Sequence, residues 1–336
     1  MFANLFLRAF IFFIFLFIFP SCAFGKISFD ENGKWSTSFD YGPCSQRGVE
    51  GEISCEHVEN DGITWNWGAG VGPGDTYTQV TPDAKRPGSK GKGGARFWKY
   101  DGVNLQSGLI KADFPEPQTE IWIRWYMRYQ EGFQWEWYGD SSDCNKLIRF
   151  HPKSSPLFSL YPHGFVVYSE HTAQSTGAME QSFPSTGWDD LVFGTNPEVR
   201  GSSAHGGWHS FEVYMKMDTE GEGPFRDPSI PYNGIVRLWI DGVMVGERFD
   251  FSFSGGDPEV REGWTLFTFS GNQRRPDNEN GPIGVNYAYE DWDDMVIYNR
   301  TPPNIDNYGN PFIGPADWGS DTADLMPPQN VHFKSQ

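Results

Sequence analysis

The stretch that decides the fold is Glu120-Ile-Trp-Ile-Arg-Trp-Tyr-Met-Arg-Tyr-Gln130. Because successive side chains of a β-strand point to opposite faces of a sheet, these residues divide into two sets. One set is apolar and predicts a buried face: Ile121, Ile123, Trp125, Met127 and Tyr129. The other set combines aromatic rings with positive charge: Trp122, Arg124, Tyr126 and Arg128. The stretch therefore predicts a strand with one face in the core and the other available for binding.

Further segments carry the same kind of signal, because they are rich in Val, Ile, Phe, Tyr and Trp and are bounded by Gly, Pro, Asn and Asp. These segments are Lys146–Pro152, Gly164–His171, Trp208–Met217, Gly234–Val245, Gly263–Ser270 and Tyr287–Asn299. No stretch of about a dozen residues has a helical apolar period without Gly or Pro inside it. The pattern predicts an all-β fold, a jelly-roll sandwich of two antiparallel sheets with long loops. We expect one domain over residues 26–336, with irregular segments at 26–94 and 300–336.

The same alternation in three of these segments extends the predicted binding face. The side chains that alternate with the apolar sets are Arg149, His151, Glu212, Tyr214, Lys216, Arg237 and Trp239. If the strands are neighbours, one outer face carries several cations among aromatic rings. Cations pair with carboxylates and flat rings stack on sugars, so such a face can bind a polymer of acidic sugars. The alternative is that each basic side chain only neutralises a nearby Asp or Glu.

The composition excludes one class of partner and favours another. The chain has 26 Lys and Arg against 44 Asp and Glu, which argues against nucleic acid as a partner, because proteins that bind it carry basic patches. Aromatic residues make up 17% of the chain, with 14 Trp, which suits sugar stacking or a large aromatic core. We expect an anionic polysaccharide as the partner of a monomeric protein.

The N-terminal region predicts export from the cytoplasm. The apolar run Ala9–Phe19 would make only about 16 Å of helix, too short for the ~30 Å hydrocarbon core of a bilayer. With small residues at Ala23 and Gly25, the pattern is that of a cleavable signal peptide, residues 1–25. We expect a secreted or periplasmic protein without a transmembrane anchor. Lipid attachment at Cys22 is the alternative.

The cysteines predict one disulfide bond. Cys44 and Cys55 lie close together in the sequence, and in an oxidising compartment we expect them to pair. Cys144 is then left over, and its pairing with either of the other two is an alternative that the sequence leaves open.

A family resemblance appears in several short motifs. They are Gly94–Phe97, Trp122–Tyr129, Asn145–Leu147, Trp208–Tyr214, Gly234–Gly242 and Trp292–Ile297. Together they resemble concanavalin-A-like jelly-roll proteins, and within that superfamily they are most similar to secreted polysaccharide lyases of the glucuronan-lyase and heparin-lyase-I type. The Arg-Thr-Glu-Leu-Arg run of alginate lyases and the Glu-x-Asp-x-x-Glu motif of related glucanases are absent from the sequence.

The resemblance implies β-elimination of a uronate glycoside. This reaction needs a base for the C5 proton, a cation for the carboxylate and a proton for the leaving oxygen. Residues of the types that such lyases use, for proton transfer or for neutralisation, are Tyr126, Tyr214, His151, Arg124 and Arg149. The remaining side chains of the predicted face would bind the substrate: Trp122, Arg128, Lys216, Arg237 and Trp239.

The sequence is also compatible with two other functions and with one metal site. Laminin-G-like modules share the scaffold, so a non-catalytic carbohydrate-binding protein is one alternative, and a glycoside hydrolase is another. Jelly rolls of this superfamily often hold a structural calcium ion, and hard oxygen ligands suit it. Asp293 and Asp294 near the last long strand are the candidate ligands, although they also fit an ordinary acidic strand end.

Overall fold

The computed structural model describes thirteen segments of the chain. They are residues 26–39, 44–47, 63–66, 76–100, 109–130, 148–152, 158–160, 166–169, 179–182, 207–221, 231–254, 256–270 and 288–316. The strands, in chain order, are β1 Lys34–Thr37, β2 Cys44–Arg47, β3 Ile63–Asn66, β4 Thr76–Thr81, β5 Gly94–Tyr100, β6 Leu109–Gln118, β7 Glu120–Tyr129, β8 Ile148–His151, β9 Phe158–Leu160, β10 Val166–Ser169, β11 Met179–Ser182, β12 His209–Lys216, β13 Gly234–Ile240, β14 Val243–Phe251, β15 Trp264–Phe269, β16 Ala288–Tyr298, β17 Asn304–Ile305 and β18 Pro311–Phe312. Two short 3-10 helices are present, Pro82–Ala84 and Val260–Glu262, and no helix in these segments is long and apolar enough to cross a membrane.

The strands form two large antiparallel sheets and one small hairpin. The nine-stranded sheet has the order β14-β13-β12-β7-β16-β5-β4-β2, and β1 also pairs with β16. The seven-stranded sheet has the order β11-β10-β9-β8-β15-β6-β3. Within the described segments, strands β17 and β18 pair with each other and with no other strand. Along one side of β16, β5 pairs with its first part and β1 with its last part.

The two large sheets enclose a common aromatic core. Trp125 of β7 is fully buried and stacks on Trp292 of β16, with ring centroids 5.4 Å apart. Across the sandwich, Trp35 of β1 packs edge-on against Phe267 of β15 at 6.4 Å. The whole predicted apolar face of β7 is buried in this core. The predicted all-β sandwich is therefore confirmed.

Three sequence expectations about the elements are wrong. Residues 26–94 contribute β1 to β4, and residues 300–316 contribute β17 and β18, although both regions were expected to be irregular. The segment Gly234–Val245 was expected to be one strand, but it turns at Asp241 and Gly242, whose φ angles are +50° and +79°. Strands of two to six residues have too few positions to display an alternating pattern, and an Asp-Gly pair is a typical hairpin turn.

The buried tryptophan stack predicts a large effect on stability. Trp125→Ala removes a fully buried indole that contacts both Phe211 and Trp292, and we expect a loss of about 3–5 kcal/mol in the free energy of unfolding. Urea unfolding followed by far-ultraviolet circular dichroism measures it. Tyr308→Ala, at a side chain that is 63% exposed, is the matched control and should change stability by no more than about 0.5 kcal/mol. Equal stability of the two variants would contradict the described core.

Candidate functional site

The candidate site is the outer face of the nine-stranded sheet, the face opposite the sandwich core. Strand β7 lies between β12 and β16, and β13 follows β12. The register places Trp122 opposite Tyr214, Tyr214 opposite Arg237, and Arg124 opposite Glu212. The structure thus brings most of the predicted site residues onto one face: Trp122, Arg124, Tyr126, Arg128, Tyr214, Lys216, Arg237 and Trp239.

Two predicted site residues lie elsewhere, which corrects the expectation that they share this face. Arg149 and His151 belong to β8, which pairs with β9 and β15 in the seven-stranded sheet. Because Ile148 and Phe150 fill the core, the alternate side chains of β8 lie on the opposite side of the sandwich. His151 Nε2 is 3.4 Å from Thr268 Oγ1 on that side. Alternation defines the two faces of a strand but does not say to which sheet the strand belongs.

The arginine side chains of this face that lie nearest β5 and β16 form ion pairs with a buried carboxylate. The carboxylate of Asp291, fully buried, accepts hydrogen bonds from Arg96 Nε at 2.7 Å and from Arg128 Nε at 3.0 Å. Arg128 also donates to the carbonyl of Asp83, and its guanidinium lies 5.1 Å from the ring centroid of Trp208. Burial raises the pKa of Asp291, while the two guanidinium groups oppose that shift.

Two more arginines, Arg86 and Arg237, also form ion pairs with carboxylates. Arg86 binds Asp294 through Nε at 2.9 Å and through Nη2 at 2.6 Å. On β13, Arg237 Nε donates to Glu247, and its guanidinium lies 5.2 Å from the ring centroid of Tyr214. Arg86 carries no signal in the sequence, because it lies in a loop beyond the 3-10 helix, where no alternating pattern marks it.

Arg124 differs from these arginines. Its side chain is 5% exposed, and its Nε and Nη1 atoms have no hydrogen-bond partner among the described residues. Burial lowers the pKa of Arg124, while the neighbouring Tyr126, Asp294 and Glu212 act in the opposite direction. A buried guanidinium with unsatisfied N–H groups carries a large desolvation cost, and native proteins rarely leave it uncompensated.

Tyr126 lies between two of the guanidinium groups. The guanidinium carbon of Arg86 is 4.1 Å from the ring centroid, and that of Arg124 is 5.0 Å from it. The phenol oxygen accepts a hydrogen bond from the backbone N–H of Ala316 at 2.7 Å. Two guanidinium groups and one backbone N–H group therefore surround the Tyr126 side chain.

Tyr214 has a different environment. Its ring stacks on Trp122 with centroids 4.4 Å apart, and its hydroxyl donates to Glu120 Oε1 at 2.7 Å. Burial and the hydrogen bond to Glu120 raise the pKa of Tyr214, and Arg237 offsets this only in part. A base for proton abstraction needs a pKa lowered toward neutrality, so the environment of Tyr214 opposes the role that the sequence suggested.

Residues 304–316, called the strap here, cross the outer face. Phe312 is fully buried against Trp239, with ring centroids 6.0 Å apart, and Ile313 is buried beside it. Trp122 Nε1 donates to the carbonyl of Pro311 at 3.2 Å, and Trp239 Nε1 donates to Asp306 Oδ2 at 3.0 Å. The faces of Trp122 and Trp239, which we expected to stack on sugar, are therefore buried with the strap in a small second core.

Glu212 joins the strap to the sheet. Its Oε1 accepts the N–H of Ile313 at 2.6 Å, and its Oε2 accepts the N–H of Gly314 at 2.8 Å. Gly314 has a φ of +74°, a conformation that glycine adopts without strain. Burial raises the pKa of Glu212 to about 7, against the hydrogen bonds from the strap and the charge of Arg124. A charged residue in the middle of an apolar strand was the sequence signal for this position.

The oxygens of the two predicted calcium ligands already have protein donors. Asp293 accepts the backbone N–H groups of Arg86 and Asp294. Asp294 accepts the hydroxyls of Ser38 and Ser89 as well as the Arg86 guanidinium. No group of three or more His, Cys, Asp and Glu residues that could hold a metal is found in the described segments. Calcium binding stays a prediction.

Some predictions concern residues outside the described segments. The signal peptide 1–25, the alternative lipid site Cys22 and the cysteines Cys55 and Cys144 lie there. The backbone of Cys44 lies in β2. Export and the disulfide bond therefore stay predictions.

Comparison with known proteins assigns neither a family nor a function to this chain. No protein-family model matches the sequence, and no curated protein sequence matches it. Among solved structures, alginate lyase Aly36B matches at 12% identity and a TM-score of 0.40, with 79% of this chain and 96% of that chain covered. The botulinum neurotoxin serotype C1 binding domain matches at 11% identity and a TM-score of 0.38, with 79% and 50% covered. The chain thus spans about half the length of the toxin structure, and a likeness at this level transfers no residue role.

The buried carboxyl group predicts a pH dependence of stability. Because the pKa of Glu212 rises from 4.5 to about 7 on folding, the folded state binds more protons between these values. The free energy of unfolding should therefore fall as the pH rises from 4.5 to about 7, with Glu212 contributing about 3 kcal/mol of the decrease.

Urea unfolding at pH 5 and pH 8 tests this prediction. In Glu212→Gln the difference between the two pH values should shrink by about 2–3 kcal/mol, whatever constant offset the lost acceptor causes. Glu220→Gln, at an exposed carboxyl group, is the control and should leave the difference unchanged. An identical pH difference in wild type and Glu212→Gln would show that Glu212 is not a buried acid.

Proposed function

We propose that this protein is an exported, carbohydrate-active protein that binds a uronate-containing polysaccharide on the outer face of the nine-stranded sheet and cleaves it by β-elimination. The observation that carries the proposal is Arg124, a buried guanidinium next to a tyrosine hydroxyl group, whose Nε and Nη1 atoms have no hydrogen-bond partner in the part of the chain that the structure describes. A carboxylate is the ligand that such a guanidinium recognises best. The other arginines described above, Arg86, Arg96, Arg128 and Arg237, each have a carboxylate partner within the protein.

In the proposed reaction, the neighbouring residues Arg124 and Tyr126 each have a role. Arg124 would bind the uronate carboxylate and neutralise the negative charge that develops when the C5 proton leaves. Tyr126 would accept that proton, with Arg86 stabilising the negative charge on its oxygen. The electron pair of the C5–H bond forms the C4–C5 double bond, the C4–O bond breaks, and the leaving oxygen takes up a proton from solvent water.

A non-catalytic uronate-binding protein is the second candidate function, and a specific observation favours it. Of the three residues that the sequence suggested for proton transfer, His151 lies on the other side of the sandwich and the pKa of Tyr214 is raised. Tyr126 alone remains beside Arg124. Binding at Arg124 without a second proton-transfer group would retain the polymer and leave its glycosidic bonds intact.

One assay separates these functions and the glycoside hydrolase. The mature protein is incubated with glucuronan, alginate, ulvan, heparin or pectin, and the ultraviolet absorbance of the conjugated 4,5-unsaturated uronate is followed. A lyase raises the absorbance, whereas a hydrolase releases reducing ends without raising it. A binding protein does neither and is retarded by the polymer in affinity electrophoresis. Absence of both cleavage and retardation with all five polymers would refute the proposal.

Tyr126→Phe tests the proposed base. Loss of the hydroxyl group should lower kcat by about 10²-fold or more while the protein still binds the polymer. Tyr308→Phe is the control, because the Tyr308 side chain is 63% exposed, and its variant should keep kcat within about twofold. A rate for Tyr126→Phe as high as that of the control would remove Tyr126 from the mechanism.

A further inference from the structure

Glu212 and Arg124 are neighbours in the sheet, yet they do not form an ion pair. They occupy opposite positions on β12 and β7, and opposite side chains of an antiparallel pair lie about 5 Å apart at Cβ. Instead of Arg124, both oxygens of Glu212 bind backbone N–H groups of the strap. This arrangement leaves Arg124 Nε and Nη1 without a partner among the described residues.

Without the strap, electrostatic attraction would bring the side chains of Glu212 and Arg124 together. Opposite charges at short range in a low-dielectric interior attract strongly, and a guanidinium and a carboxylate form short, charge-assisted hydrogen bonds. A Glu212 carboxylate released from the strap would therefore pair with Arg124 and neutralise it. The strap prevents that pairing because it supplies two N–H donors on the side of Glu212 away from the sheet.

The strap has anchors that do not involve Glu212. Phe312 is buried against Trp239, and burial of such a side chain contributes about 1.5–3 kcal/mol. Asp306 accepts the backbone N–H groups of Tyr308 and Asn310 and the indole N–H of Trp239. Burial alone would raise the pKa of Asp306, but these donors together lower it. The strap can thus present its N–H groups to Glu212 from a fixed position.

We infer that the strap is a positioning element, in which the N–H groups of Ile313 and Gly314 hold the Glu212 carboxylate away from Arg124, so that this buried guanidinium has no carboxylate partner among the described residues and can pair with an anionic ligand that reaches it. Glu212 and Phe312 are positioning residues that do not themselves touch the ligand. The inference rests on the proposed function for the identity of that anion, a uronate carboxylate. The geometry of Glu212 and the strap is independent of it.

A substitution that loosens the strap should weaken binding of the anionic ligand, and an additional Glu212→Gln substitution should restore that binding. In Phe312→Ala, Glu212 pairs with Arg124, and the affinity for a glucuronate tetrasaccharide, measured by calorimetry, should fall about tenfold or more. Ile305→Ala, at an exposed side chain of the same strap, is the matched control and should bind like wild type. The double variant Phe312→Ala/Glu212→Gln should regain most of the lost affinity, because the competing carboxylate is gone.

A measurement without ligand tests the same inference. In a sample with ¹³C-labelled glutamate, the Glu212 carboxyl group should titrate near pH 7 in the wild type. In Phe312→Ala its midpoint should fall below about pH 5.5, since both solvent and Arg124 favour the ionised form. Adding Arg124→Gln to Phe312→Ala should raise the midpoint again. If Phe312→Ala does not fold, Asn304→Ala loosens the strap more mildly, because the Asn304 amide donates to the carbonyl of Ile313.

The outcomes separate the inference from the proposed function. Wild-type protein that does not bind the tetrasaccharide would count against the uronate ligand, while the titration would still decide the role of the strap. Full affinity in Phe312→Ala, or lost affinity that Glu212→Gln fails to restore, would overturn the positioning role. So would a Glu212 midpoint in Phe312→Ala that does not respond to Arg124→Gln.

Discussion

The antiparallel pairing of β7 with β12 on one side and β16 on the other is the constraint on which both the core and the outer face depend. On the inner side, it places Trp125 against Trp292 and Phe211 in the aromatic core. On the outer side, the same register places Arg124 between Glu212 and Val296. A shift of one residue would exchange these two faces, so the core that fixes the fold also fixes the position of Arg124.

Charge on the outer face is balanced almost entirely within the protein. Asp291 holds two arginines, and Asp294 holds Arg86. Buried ion pairs of this kind add little net stability, because desolvation offsets their attraction, but they fix side chains in place. Arg124 stands apart because the carboxylates that interact with it have other partners: Asp294 binds Arg86, and Glu212 binds the strap. The face can therefore attract an anion in a protein whose net charge is −18.

The sequence predicted the fold class and much of the long-strand face, and physical reasons explain what it missed. Alternation in β7, β12 and β13 correctly grouped their outward side chains, because a strand pattern reports local geometry. It could not place β8 in a sheet, since strand neighbours depend on contacts distant in sequence. Nor could it detect the strap, because its anchors, which include buried Phe312, the Asp306 carboxylate and backbone N–H groups, follow no alternating or helical pattern.

The central claim is that Arg124 is the residue that receives the ligand carboxylate. Nuclear magnetic resonance of the arginine Nε–H groups, recorded while a glucuronate tetrasaccharide is added, tests it most directly. The account predicts a large downfield shift of the Arg124 Nε–H signal, because that group gains its first hydrogen-bond acceptor, and little change at Arg96, which stays bound to Asp291. Saturable binding that shifts Arg96 or Arg237 and leaves Arg124 unchanged would contradict it.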